Sequence, residues 1–150
     1  VILDNGTTAM TGHQIHPGVD TTPMGLNLQQ VIVEDVVRGC GVKDLHVVKP
    51  FNIKKTMEAL KASLEYDGLS VVVSKEFCPL FAKGIGKARK AKPFMINPQK
   101  CKNHRDCINK LACPAMYLEG NAVRINKNLC IGCSVCAQVC PENAIVPVKD

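Results

Sequence analysis

Three short runs of the chain, Val1 to Asp4, Leu45 to Val48 and Leu69 to Val73, are apolar and rich in β-branched residues, with no alternating polar positions. That pattern predicts strands buried on both faces of a parallel sheet. A helical period follows the second run: Asn52 is placed to cap it, Ile53, Met57, Leu60 and Leu64 recur on one face, and Gly68 offers a left-handed stop. A looser helical pattern extends from Val31 to Arg38 and ends at Gly39-Cys40-Gly41. Strand, helix, strand, helix, strand implies right-handed crossovers and an α/β layered domain over residues 1–82.

The pattern breaks after that. Lys83, Lys87, Arg89, Lys90 and Lys92 crowd a segment that also holds Gly84, Gly86 and Pro93 and no acid, which predicts a basic linker over 83–97 and a domain boundary. The rest contains an internal repeat. Met95-Ile96-Asn97-Pro98-Gln99-Lys100-Cys101 aligns with Arg124-Ile125-Asn126-Lys127-Asn128-Leu129-Cys130 at a spacing of 29 residues, and Cys107 aligns with Cys136. Between the halves, Met116 to Arg124 reads as strand, Gly-Asn turn and strand. Residues 98–150 are thus expected to form one small α+β module of two related half-units.

Composition narrows the class. With 46% hydrophobic and 21% charged residues the chain is of globular type, not disordered. No apolar run approaches the roughly 18 residues of a membrane span, and the start lacks the basic and apolar regions of a secretory signal, so a cytoplasmic protein without membrane partners is expected. Opening on Val1 inside a strand-like run suggests part of a longer polypeptide. A net charge of +6 hints at nucleic acid, but 4% aromatic residues and no Trp leave little for base stacking, and no nucleic-acid partner is expected. Of nine cysteines, most crowd the interval from Cys101 to Cys140. Their odd number and close spacing argue against disulfides and for metal ligation.

Cys130-Ile131-Gly132-Cys133-Ser134-Val135-Cys136-Ala137-Gln138-Val139-Cys140-Pro141 is the C-x2-C-x2-C-x3-C-P run of bacterial ferredoxins, whose last cysteine ligates the other cluster. A structural zinc site more often uses two separated C-x2-C knuckles. Gly132 lets backbone N–H groups approach the sulfides, and Val135, Ile125 and Ile145 are expected to form a dry shell around them. The first half-unit is irregular: Cys101, then His104 where the repeat has Cys133, then Cys107, then Cys113-Pro114. Crossed ligation gives one 4Fe-4S cluster the four thiolates of Cys130, Cys133, Cys136 and Cys113. The second, of uncertain type, takes Cys101, Cys107 and Cys140, with its fourth corner left to His104, to water or to nothing. Cys40 and Cys78 stand apart and are each expected to be buried, inert thiols.

The loop Asp4-Asn5-Gly6-Thr7-Thr8-Ala9-Met10-Thr11-Gly12-His13-Gln14 follows the first strand, where α/β sheets bind ligands. An Asn side chain and a nearby carbonyl are suitable hard donors for Mg2+ beside a phosphorylated ligand; a plain polar loop is the alternative. His16-Pro17-Gly18 reads most simply as a turn.

This loop, the α/β unit and the two-cluster module in that order resemble the carboxyl-terminal part of the α subunits of indolepyruvate:ferredoxin oxidoreductases, within the 2-oxoacid:ferredoxin oxidoreductase family. The resemblance covers essentially the whole chain. In that family an upstream Gly-Asp-Gly begins the thiamine diphosphate motif and an Asn or Thr ends it; Asn5 matches the end. The resemblance therefore implies part of a thiamine diphosphate-binding fold followed by a ferredoxin-like domain. It implies that the Asn5 side chain and Thr7 carbonyl bind Mg2+ with an upstream Asp. The loop of Thr8, Met10, Thr11, Gly12, His13 and Gln14 would border the thiazolium and substrate, with no catalytic side chain assigned.

The implied activity is oxidative decarboxylation of an arylpyruvate to acyl-CoA, with electrons leaving singly through iron-sulfur clusters to an external ferredoxin. The implied partners are a β subunit, ferredoxin, the arylpyruvate and coenzyme A. Lys83 to Lys92, with Lys100, Lys102 and Arg105, would steer an acidic redox partner, or form a solvated linker. Two departures stand out: no Gly-Asp-Gly is present, so this chain holds at most half of the cofactor site and is not expected to decarboxylate alone, and His104 replaces a cysteine. A stand-alone ferredoxin-type carrier with an inert α/β domain is the alternative function.

Overall fold

The computed structural model describes residues 1–26, 29–88 and 90–148, in two units, Val1–Ala88 and Arg89–Asp150. In the first, β1 (Ile2–Asp4) precedes a minimal hairpin of β2 (Thr21–Thr22) and β3 (Gly25–Leu26); then come α1 (Val33–Gly39), β4 (Asp44–Val48), α2 (Ile53–Glu65), β5 (Ser70–Lys75) and α3 (Pro79–Gly84). The three apolar runs form one parallel sheet of order β1-β5-β4. Ile2 pairs with Val73 and Asp4 with Lys75 on one side of β5, and Leu45 pairs with Val71 on the other. Central β5 buries Val72 and Val73 completely, whereas Leu3 on β1 is 76% exposed and Val47 on β4 is half-exposed. Burial on both faces therefore holds only for the middle strand. Successive side chains of a strand point to opposite faces, and the layer that would cover the outward residues of the two edge strands is not formed by the described residues.

Helix α2 starts as expected, with Asn52 Oδ1 accepting from Lys55 N–H at 3.1 Å. Its inward stripe differs from the expected one. Ile53, Thr56, Ala59, Leu60 and Ser63 are half-buried, while Met57 and Leu64 face solvent; small residues let the helix lie close against β4 and β5. The helix ends when Tyr66 turns extended (φ −72°, ψ 129°), ahead of Gly68. Cys40 is exposed, contrary to the expected buried thiol. It closes the short α1, its N–H donating to Val36 C=O at 3.0 Å, between two glycines above which there is open space. Cys78, half-buried, begins α3.

The expected linker is narrower than 83–97. Lys83 and Gly84 end α3, and Phe94–Ile96 form β6, the first strand of the second unit; Arg89 lies outside the described residues. The second unit continues with α4 (Asp106–Asn109), β7 (Met116–Glu119), β8 (Ala122–Ile125), α5 (Val135–Val139) and β9 (Ile145–Pro147). β7 and β8 pair as a hairpin about Gly120-Asn121. β6 pairs antiparallel with β9, Phe94 opposite Pro147 and Ile96 opposite Ile145. The core is small: Ile96, Met116, Val123, Cys136 and Ile145, with Phe94, Ile108, Leu111 and Ile125 packed on it. A core of that size rarely supplies more than about 3–5 kcal/mol without a metal or another staple, so ligation would serve this unit's stability as well as its chemistry. Among the described residues, no helix is long and apolar enough to cross a membrane.

Candidate iron-sulfur centres and the amino-terminal loop

Each half-unit turns from strand into loop at an asparagine. Asn97 accepts from Gln99 N–H at its side chain (2.9 Å) and from Cys101 N–H at its carbonyl (3.1 Å); Asn126 does the same for Asn128 (2.9 Å) and Cys130 (3.1 Å). Asn97 N–H donates to Ala144 C=O at 2.7 Å and Asn126 N–H to Ala115 C=O at 2.8 Å. In the loops that follow, left-handed residues fall at matching places: Asn103 (φ 57°) and Arg105 (φ 63°) in one, Gly132 (φ 69°) and Ser134 (φ 65°) in the other. The sequence repeat is therefore a backbone repeat. Alternating conformations of this kind turn successive N–H groups inward, a concavity suited to anionic sulfide. Gly132 has no substitute, because a Cβ there would lie 2.7 Å from both Ala91 Cβ and Lys92 O.

The thiols fall into two neighbourhoods. Cys136 is buried and pushed up to about 11, chiefly by burial and then by Cys133, Cys130 and Cys113. Burial likewise raises Cys107, and Cys140 and Cys101 add to it. These are the two crossed sets. Cys130 Sγ accepts from Phe94 N–H and Cys140 Sγ from Ala144 N–H, both at 3.4 Å. Among the described residues no three His, Cys, Asp or Glu side chains are drawn together tightly enough for a single metal ion; a cube of iron and sulfide stands between its ligands and needs them further apart. The donor set and its surroundings fit such a cube. Ile125 and Ile145 belong to the core around it, and Val135 is half-buried.

His104 occupies the place of Cys133 and lines a shallow cleft together with Cys101, Cys107, Cys140 and Glu142. Its Nε2 lies 3.0 Å from Glu142 Oε1, and Lys102 Nζ lies 3.7 Å from Oε2. The His104 hydrogen bond, followed by Lys102, holds the Glu142 carboxyl below the usual range. Glu142 escaped sequence reasoning, since its role shows only in the contact with His104. Asn103 Nδ2 donates to Asn121 O at 2.8 Å, and the Arg105 guanidinium donates to the Asn121 side chain, tying this loop to the hairpin.

At the carboxyl end of β1, the loop from Asn5 to Gln14 closes on itself. Asn5 Oδ1 accepts from Thr7 N–H at 3.1 Å, and buried Thr7 donates its hydroxyl to Gln14 C=O at 3.0 Å. Thr8 and Gln14 exchange backbone hydrogen bonds of 2.8 and 3.2 Å around a 3-10 turn at Ala9–Thr11 and Gly12 (φ 101°). Thr11 Oγ1 donates to Gln14 Oε1 at 2.7 Å, and Met10 is exposed. Backbone bonds from Glu76 to Asp4 and from Cys78 to Asn5, each 3.0 Å, set the loop beside the end of β5. His13 stacks on Phe81 with centroids 5.7 Å apart, and its Nδ1 is buried without a partner. His16 forms a turn, its Nδ1 accepting from Gly18 N–H at 3.1 Å. The structure thus closes the candidate cofactor residues into one loop at the carboxyl edge of the parallel sheet. Asn5 Oδ1 keeps a lone pair for a cation, while the neighbouring Asp4 carboxylate accepts from Gly6 N–H at 3.2 Å and pairs with Lys75 at 3.6 Å. The residues fit half of a Mg2+-diphosphate site.

Comparison with known proteins points the same way. A family described as thiamine pyrophosphate enzyme, C-terminal TPP binding domain, matches residues 1–74. A 4Fe-4S binding domain matches residues 123–146, the stretch holding Cys130, Cys133, Cys136 and Cys140. Indolepyruvate oxidoreductase subunit IorA of Archaeoglobus fulgidus is 41% identical over 150 residues, covering 99% of this chain and 24% of that protein. The subunit of the same name from Methanothermobacter thermautotrophicus is 42% identical over 147 residues (98% and 23%), and that from Thermococcus kodakarensis 40% over 154 residues (100% and 24%). The chain spans about a quarter of the length of these relatives. No solved structure matches it.

Proposed function

Because this chain belongs to the indolepyruvate oxidoreductase α-subunit family, we propose that it forms one wall of a thiamine diphosphate site and the electron path leading out of it. The complete enzyme would carry out oxidative decarboxylation of an arylpyruvate to acyl-CoA, together with a β subunit, and deliver electrons to an external ferredoxin in the cytoplasm. One observation carries the reading: a loop closed at the carboxyl edge of a parallel sheet and two separate thiol neighbourhoods occur in one chain. The family match over residues 1–74 disfavours a stand-alone ferredoxin carrier.

When bound, thiamine diphosphate supplies the electron sink that decarboxylation requires. The chain's own residues would do the rest. Asn5 Oδ1 and the Thr7 carbonyl would offer oxygen donors to Mg2+, completed by an upstream Asp. Thr8, Met10, Thr11, Gly12, His13 and Gln14 would border the reacting ring, with the buried Nδ1 of His13 facing a polar group there. Cys130, Cys133, Cys136 and Cys113 would hold one 4Fe-4S cluster, and Cys101, Cys107 and Cys140 the second, screened from water by Ile125 and Ile145. For steering ferredoxin, Lys83, Lys90 and Lys100 are better placed than Lys87, Lys102 and Arg105, which the fold engages with Asp20, Glu142 and Asn121.

The test is calorimetric titration of the intact enzyme with Mg2+ and thiamine diphosphate. Asn5→Ala should abolish binding while iron and sulfide content stay unchanged; undiminished affinity would overturn the assignment.

A further inference from the structure

The reading of Cys101, Cys107 and Cys140 as ligands of a second cluster leaves its fourth corner open. Resting on that reading, we propose that His104 fills the corner through Nδ1 and that Glu142 orients the ring by accepting the hydrogen on Nε2.

Four observations converge. First, His104 is flanked by left-handed Asn103 and Arg105 just as Cys133 is flanked by left-handed Gly132 and Ser134. That conformation is uncommon for Arg, yet the loop adopts it, and so presents His104 where its twin presents a thiol. Second, His104 shares one cleft with the three cysteines. Third, Nε2 lies 3.0 Å from a Glu142 oxygen. A carboxylate can only accept, so a hydrogen sits on Nε2, and Nδ1 is the nitrogen left to face a metal. Metal-bound imidazoles almost always give their other N–H to such a group. Fourth, three of the four cysteines in the second run have thiol counterparts in the first, Cys130, Cys136 and Cys140-Pro141 answering to Cys101, Cys107 and Cys113-Pro114, and His104 stands at the one place left, opposite Cys133.

Glu142 itself is the weaker ligand candidate, since iron accepts imidazole readily while carboxylates suit harder ions. Imidazole in place of thiolate raises a cluster's potential. The two cubes would then be inequivalent, the Cys101 side being the more easily reduced.

The experiment uses the intact, anaerobically purified enzyme: iron and sulfide analysis, pulsed EPR of the reduced clusters with and without 15N-histidine, and redox titration. The expected result is about eight irons per subunit of this type, with a strongly coupled histidine nitrogen. His104→Cys should keep the iron, remove that coupling and lower the potential of one cluster. Glu142→Gln should keep the coupling and raise the potential, because an amide leaves the imidazole less basic. Full iron without a strongly coupled nitrogen, or coupling that persists in His104→Cys, would overturn His104 ligation alone. An unmoved potential in Glu142→Gln would overturn the part given to Glu142. About seven irons would mean a three-iron cluster and a vacant corner, which also overturns the proposal; about four would overturn the second cluster itself.

Discussion

Gly6 lies between Asn5 and Thr7, at φ 74°, with the ring of Phe77 directly over it: a Cβ built there would sit 2.4 Å from Phe77 Cδ1 and Cε1. Gly6→Ala therefore carries two separable costs. The left-handed backbone costs an L-residue about 1–2 kcal/mol. Forcing the ring aside adds about 1–3 kcal/mol by analogy with overpacked cores, toward the lower end because Phe77 is 41% exposed and can yield. The total is about 2–4 kcal/mol in the wild-type background and only the conformational part in Phe77→Ala. The difference is a coupling of about 1–2 kcal/mol, well above the ~0.3–0.5 kcal/mol scatter of additive pairs. Phe77→Ala also removes the stacking of Lys87 Nζ, 5.7 Å from the ring centroid, and the single mutant controls for that. Hydrogen exchange of the Val72 and Val73 amides in the intact protein reads the opening free energy of this unit. Gly12→Ala, with a positive φ and open space around it, should show the conformational cost alone. Equal costs of Gly6→Ala with and without the Phe77 ring would refute the steric argument.

The other predictions concern a cap and an ion pair. Asn52→Ala removes the acceptor for Lys55 N–H and should cost about 1 kcal/mol, seen as faster exchange of the first-turn amides of α2. Lys75 Nζ reaches Glu34 at 2.8 Å, and this hydrogen bond holds the Glu34 carboxyl below its ordinary value. Its stabilisation is complete above the unfolded-state pKa and is lost as pH falls through the lower folded one. Urea titrations of Glu34→Gln should accordingly show a shallower loss of stability on the acid side, and an acid limb identical to wild type would contradict this.

What the sequence disclosed follows from how local each signal is. The Asn52 cap, the β7–β8 hairpin and the second cysteine run depend on neighbours a few residues away, and each is present. The inward face of α2 was half legible: Ile53 and Leu60 are half-buried as expected, whereas Met57 and Leu64 face solvent and Thr56, Ala59 and Ser63 take their places. Strand β6 was hidden by the lysines before it, since its partner β9 lies some fifty residues on. Yet the repeat held the clue: Ile96 stands where Ile125 stands, and Ile125 is in a strand. Solvent exposure of Cys40 and the meeting of His104 with Glu142 are tertiary facts that no local pattern encodes.

The antiparallel clasp of β6 on β9 reaches one step further, with Val148 N–H donating to Pro93 C=O at 2.8 Å. Polypeptide enters and leaves the cysteine module at one doorway. Such a cassette can be set into a host loop without stretching either flank.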